Sequence, residues 1–341
     1  IESSAFHGCS SLAEVILPNS VTYLGSYAFA FCDSLSRLVL SNALEEMSYG
    51  CFQGCVKLTA VEIPASLNKS AGSNCASVRG GPFTDCSGLK NVTFEEGCTE
   101  VVEYLFDYCT GLEEITIPDT VTQIGSGSFK SCTSLCTVIF SGNLTRIESS
   151  AFRECSSLAE VILPDSVTYL GSYAFAYCES LSSIDFPSEI QTLPNYMLHG
   201  CTALESVVLP DSVQSIAKNV FYGCSELKSF TAGFELTSIG NNAFYGCKKL
   251  TDVKLNQNLT SIGQYAFYEC AALKTIVIPD CVNFIGSRAF QKCTSLTDIT
   301  LPHDLIVLRE YTFANCNSLA EIVIPEGVTT IQNNAFYQDT K

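Results

Sequence analysis

The 341-residue chain repeats one pattern every 23 residues, and that period constrains what it can fold into more than any other feature. Phenylalanine stands at Phe6, Phe29, Phe52, Phe83, Phe106, Phe129, Phe152 and Phe175. Leu198 takes the slot once, and Phe221, Phe244, Phe267, Phe290, Phe313 and Phe336 continue it. Only the step from Phe52 to Phe83 departs, at 31 residues. Three residues after each comes cysteine, from Cys9 to Cys316, until Asp339 breaks the rule. Three further on stands leucine, from Leu12 to Leu319. Buried-type residues in fixed slots at such a period mark a solenoid whose coils contact only their neighbours. The spacing predicts a single array of about fifteen coils over residues 1–341, partial at both ends.

One coil can be laid out on Leu12 to Cys32, L-A-E-V-I-L-P-N-S-V-T-Y-L-G-S-Y-A-F-A-F-C. Val15 and Leu17 alternate with Glu14 and Ile16, which predicts a strand. Pro18 ends it, because proline cannot donate to a ladder. Val21 and Leu24 mark a second, shorter extended piece, and Gly25 supplies a tight bend, as do Gly125, Gly171, Gly240, Gly263 and Gly286. Ala28, Phe29 and Cys32 fall at i, i+1 and i+4, which predicts a single helical turn facing inward. A lone coil cannot bury its apolar face, so stability comes from stacking.

The long step holds eight extra residues in N-K-S-A-G-S-N-C-A-S-V-R-G-G, between Leu67 and Phe83. Gly, Ser and Asn dominate it, so a surface loop around 68–81 is expected. It carries Lys69 and Arg79 in an acidic protein, which makes it either a tolerated excursion or a binding element. Residues 147 to 182 copy residues 1 to 36 with five changes: Arg153 for His7, Glu154 for Gly8, Asp165 for Asn19, Tyr177 for Phe31 and Glu179 for Asp33. A duplicated block suits a surface that gains reach by adding coils.

A net charge of −17 argues against nucleic-acid partners and anionic lipid surfaces. Basic, neutral or cation-bridged protein partners fit it better. No apolar run is long enough to span a membrane. The chain starts at Ile1 inside a repeat and stops just after Phe336 with no polar cap, so a fragment of a larger protein is expected. Of nineteen cysteines, fourteen fill the repeat slot, which suggests free, packed thiols acting as small hydrophobes. Cys51, Cys75, Cys98, Cys136 and Cys281 are scattered, and no C-x-x-C spacing points to zinc.

Catalysis finds little support in the motifs. His7, His199 and His303 lie in different coils, with His7 and His199 in the variable slot just after the Phe position, where solvated surface is expected. No G-x-S-x-G, H-E-x-x-H or phosphate-cradling glycine loop occurs. The acidic pairs Glu45-Glu46, Glu95-Glu96 and Glu113-Glu114 lack the D-x-D-x-D pattern of a calcium loop. Neither a cofactor nor a metal is expected. N-x-S/T sequons begin at Asn68, Asn91, Asn143 and Asn258.

The unit L-x-x-V-x-L-P-x-x-V-T-x-I-G-x-x-A-F-x-x-C resembles the BspA-like leucine-rich repeats, most clearly in T-x-I-G followed by A-F-x-x-C from Thr260 to Cys270. The resemblance covers nearly the whole chain. It implies an α/β repeat solenoid, rich in β: a right-handed coil stack with a parallel sheet on its concave face and short helical turns on its convex side. It also implies a secreted or cell-surface protein of a host-associated bacterium or parasitic protist. The resemblance further implies an association with adhesion to host matrix proteins such as fibronectin and fibrinogen, and with co-aggregation. Fold transfers firmly by such a motif and function weakly.

Function is therefore sought in the variable slots. The second and fourth residues after each Leu should point out of the sheet, which exposes Glu114 and Glu160 in one series and Ile16, Val39, Ile139 and Ile162 in the other. Such a strip suits a protein interface, although β-propensity alone also favours branched residues there. Tyr222, Tyr245 and Tyr268 follow the Phe slot in three consecutive coils and should form a stacked outward row, with Tyr265 and Tyr311 nearby. The reading is a non-enzymatic, adhesin-type protein-binding module taking a host matrix or microbial surface protein as ligand. A passive spacer is the alternative, and an enzyme the remote one.

Overall fold

The computed structural model describes residues 1–70 and 80–338. The chain divides into two compact units, Ile1–Glu179 and Ser180–Lys341. Each unit is a stack of coils built alike.

Coils contribute a strand of three or four residues whose second residue is turned toward the core, except around residues 321–324, where none forms. In the first unit these include Glu14–Ile16, Arg37–Val39, Ala60–Ile63, Asn91–Phe94, Glu114–Thr116, Thr137–Ile139 and Glu160–Ile162. The second holds Ser183–Asp185, Ser206–Val208, Ser229–Thr231, Asp252–Lys254, Thr275–Val277 and Asp298–Thr300. Pairing is parallel and steps by one repeat: Glu14 faces Arg37, Val15 faces Leu38 and Ile16 faces Val39. The same register joins Ser206–Val208, Ser229–Thr231 and Asp252–Lys254. Ala60 faces Asn91, so the eight extra residues leave the ladder intact. A second parallel ladder runs through the short strands, for example Thr192–Leu193, Ser215–Ile216, Ser238–Ile239, Ser261–Ile262 and Phe284–Ile285.

Where a helical turn was expected around Ala28, Phe29 and Cys32, there is none; among the described residues no helix forms at all. The reason lies in the backbone. Tyr27 has φ +58° and Phe31 has φ +57°, so Phe29 is flanked on both sides by left-handed residues that break any right-handed run. The N–H groups then alternate in use. Those of Ala28 and Ala30 close β-turns onto Gly25 and Tyr27, while those of Phe29 and Phe31 reach the carbonyls of Cys51 and Gln53 in the next coil, both at 2.7 Å. The Phe segment thus joins coils through backbone hydrogen bonds as the strands do. Positive φ at the third position of Gly25–Ala28 marks a type II turn.

The core is a column of phenylalanine rings. From Phe6 to Phe175 successive centroids lie 4.8–5.7 Å apart with planes within 19° of parallel. From Phe221 to Phe336 the spacing is 5.0–5.6 Å. The slot cysteines lie beside it as free thiols, buried from Cys32 to Cys316, whereas Cys9, Cys136 and Cys281 are exposed. Twelve of the buried slot thiols donate to the carbonyl of the Phe-slot residue in the preceding coil, as Cys55 does to Phe29 at 3.3 Å and Cys247 to Phe221 at 3.2 Å. They act as donors as well as fillers.

The glycines read as bends serve another purpose. Gly25 has no positive φ; a Cβ there would lie 2.5 Å from the backbone nitrogen of Ser3. At Gly240 it would lie 2.6 Å from the carbonyl carbon of Ala217. Glycine lets one coil's backbone approach the next.

Candidate protein-binding surface

In the second unit the Phe-slot turn places a side chain next to the core column, and in three consecutive coils that side chain is tyrosine. Tyr222 and Tyr245 stack with centroids 4.5 Å apart and planes 8° from parallel. Tyr245 and Tyr268 stack at 4.5 Å and 17°. The rings are half-buried, and each covers a face of the next. Burial, then the neighbouring Tyr268 and Tyr222, pushes the Tyr245 phenol up to about 12.

The column is capped at both ends by basic residues. His199, expected to be solvated, is half-buried and stacks on Tyr222 at 4.8 Å. Lys292 lies over Tyr268 at 5.0 Å and pairs with Glu269 at 2.9 Å. Contacts with Tyr268 and then Glu269 raise its ammonium above the usual lysine range. Tyr265 packs edge-on against Tyr268 at 5.5 Å, and Arg288 bridges Tyr265 and Tyr311. The tyrosine candidates therefore form one cluster. His199, Arg288 and Lys292 were missed because tyrosine identity, not the basic residue, carried the signal.

The sheet-face candidates are less continuous than expected. Ile16 and Val39 are exposed on paired strands. Ile139 and Ile162, 56% and 60% exposed, sit in consecutive coils. Glu62, Thr93 and Thr116 interrupt the series between these two pairs. In the second unit Val208 and Val277 are separated by Thr231 and Lys254, so no strip forms there. Glu114 and Glu160 are exposed at the starts of their strands, with Thr137 between them in the series. Lys69 is exposed on the short-strand ladder beside Glu46, next to a cleft of about 330 Å³ lined by Glu100, Glu103 and Glu148. Arg79 lies outside the described residues. Among the described residues, no His, Cys, Asp and Glu side chains gather as a metal site, and no helix is long and apolar enough to cross a membrane.

Comparison with known proteins agrees with this architecture. A search of curated sequences returns no match. The chain is similar to the crystal structure of a leucine-rich repeat protein from Bacteroides ovatus, with TM-score 0.60 and 27% identity over 87% of this chain and 86% of that one. It is also similar to a leucine-rich cell surface protein from Faecalibacterium prausnitzii, with TM-score 0.55 and 25% identity over 100% of this chain and 86% of that one. The pneumococcal vaccine antigen PcpA shares the fold, with TM-score 0.57 and 22% identity over 92% and 80%. The BspA type leucine-rich repeat region matches residues 1–79, 71–162, 133–243 and 214–341, so the chain belongs to the BspA-type leucine-rich repeat family.

Proposed function

We propose that this chain is a non-enzymatic protein-binding module that works at a cell surface or outside the cell, as an adhesin. The observation that carries the reading is the tyrosine column of Tyr222, Tyr245 and Tyr268. Prealigned aromatic rings contribute large contact area with little side-chain entropy left to lose, which is why tyrosine is frequent at binding hot spots. Membership of a repeat family and likeness to a leucine-rich cell surface protein support the location. Ile139 and Ile162 offer a second, smaller contact on the sheet face.

The test is saturable binding to immobilised fibronectin, fibrinogen and collagen. It compares the wild type with a Tyr222→Ser, Tyr245→Ser, Tyr268→Ser variant and with Ile139→Ser, Ile162→Ser. Binding that is lost in one variant, with unchanged circular dichroism, supports an adhesin and identifies its working face. Absence of binding to the whole panel favours a spacer.

A further inference from the structure

The charge of this chain is unevenly placed. Residues 218–292 carry eight Lys and Arg against five Asp and Glu, a net charge of +3. The rest of the chain carries ten against thirty, a net charge of −20. The tyrosine column lies inside the basic window. Within it Lys228, Lys249, Lys254 and Lys292 are paired with Glu205, Glu226, Asp252 and Glu269. Lys248, exposed and two residues beyond Gly246, makes no ion pair among the described residues.

A trough accompanies the column. Gly200, Gly223 and Gly246 each directly follow a column residue, and all are left-handed, with φ of +75°, +74° and +72°. Other coils place side chains in this slot at similar angles, including Tyr108 at +58° and Tyr177 at +61°. Glycine is not required here by crowding. A Cβ at Gly246 would meet nothing within 4 Å, and one at Gly223 only the Gly200 Cα at 4.0 Å. Gly200 and Gly223, both half-exposed, thus leave a bare floor beside the tyrosine edges, where a foreign main chain can come close, and the floor ends at the buried Gly246.

We infer that this trough binds an extended acidic peptide segment of a partner protein, running along the Tyr222–Tyr245 edges with carboxylates facing Lys248. The inference rests on the protein-binding reading above and names the chemistry of its partner. Acidic side chains complement a stretch of the chain opposite in sign to the rest, which repels them. A sugar chain fits worse, because it would stack on ring faces, and these faces are covered by one another, by His199 and by Lys292.

Fluorescence anisotropy with a labelled peptide of alternating Glu and Val, about eight residues and ~26 Å long when extended, tests this against a Lys–Val peptide. Binding of the acidic peptide alone is expected, weakening as salt rises. Gly223→Tyr, which fills the trough with a residue this slot accepts elsewhere, and Lys248→Glu should each weaken it about tenfold or more. Lys57→Glu, exposed and outside the window, changes the net charge equally and should leave it intact. Equal binding of the Lys–Val peptide, or full binding by both trough variants, overturns the inference. So does dextran sulfate binding as tightly and indifferently to Gly223→Tyr, which marks a diffuse polyanion surface. A chain that binds a matrix protein through its tyrosines, unaffected by Gly223→Tyr and Lys248→Glu, retains the module reading and loses the acidic-peptide one.

Discussion

The thiol of Cys132 donates to the carbonyl of Phe106 at 3.1 Å, across the gap between consecutive coils. That carbonyl also accepts the N–H of Cys109 in its own coil, so both lone pairs are used. The slot asks for a small side chain that is apolar in bulk and still able to donate. Cys132→Ala should therefore destabilise the protein by about 1–2 kcal/mol, from the lost bond and the small void. Urea unfolding of the two proteins measures it, and an unchanged midpoint would sink the argument.

The same burial predicts which thiols react. Burial pushes the Cys55 thiol up to about 12 and raises Cys132, Cys224 and Cys270 as well, suppressing the thiolate that alkylating reagents attack. Peptide mapping after brief iodoacetamide treatment should find Cys9, Cys136 and Cys281 labelled in native protein. The buried slot cysteines should follow only in denaturant. Rapid native labelling of Cys132 would contradict the packing described.

The phenylalanine column allows a graded test. Phe129 is fully buried between Phe106 and Phe152. Phe129→Ala should cost about 3–5 kcal/mol. Phe129→Leu should cost no more than about 1.5 kcal/mol, since the chain itself uses Leu198 in this slot. Equal losses would mean that ring stacking, rather than filled volume, holds the column.

At Gly171 a Cβ would lie 2.5 Å from the carbonyl carbon of Glu148 in the previous coil. Gly171→Ala should force the coils apart and cost about 1–3 kcal/mol, although alanine is ordinarily the less flexible residue. Thermal unfolding distinguishes the two effects by sign. A stabilised Ala variant would show that the coils do not approach so closely.

Asp107 is buried and receives the N–H of Gly81 at 2.8 Å and the Thr84 hydroxyl, closing the coil just after the inserted loop. Burial lifts its carboxyl to about 6 from 3.8; bonds from Thr84 and Gly81 and the Lys130 charge partly offset this, while Asp85 adds to it. Below 3.8 the group is protonated whether folded or not. Between 3.8 and 6 the folded chain holds the proton more tightly, so stability falls as pH rises through this range. Relative to wild type, Asp107→Asn should gain about 1–3 kcal/mol between pH 4 and pH 7.5. A relative loss over that range would reverse the assignment.

Much of this was legible in the order of residues. A strict period sets which side chains face inward, so Val15, Leu24, Phe29 and Cys32 could be assigned to the core from spacing, and the buried residues agree. The tyrosine row was equally visible, because identical slots in successive coils must lie over one another. The absence of a helical turn was not foreseeable: i, i+1, i+4 spacing fits a helix, and nothing in tyrosine or phenylalanine announces the positive φ of Tyr27 and Phe31. Nor could spacing distinguish a glycine needed for a bend from Gly25, needed for closeness.

Sequence by itself determined the repeat, its family and the inward face of every coil, since each follows from periodic burial. Tertiary structure decided what passes between coils. The distance separating neighbours sets whether a thiol reaches a carbonyl, whether Tyr222 and Tyr245 meet face to face, and whether the ground beside them stays bare at Gly223. Those contacts join residues 22 or more positions apart, and their geometry depends on backbone angles that side-chain identity leaves open.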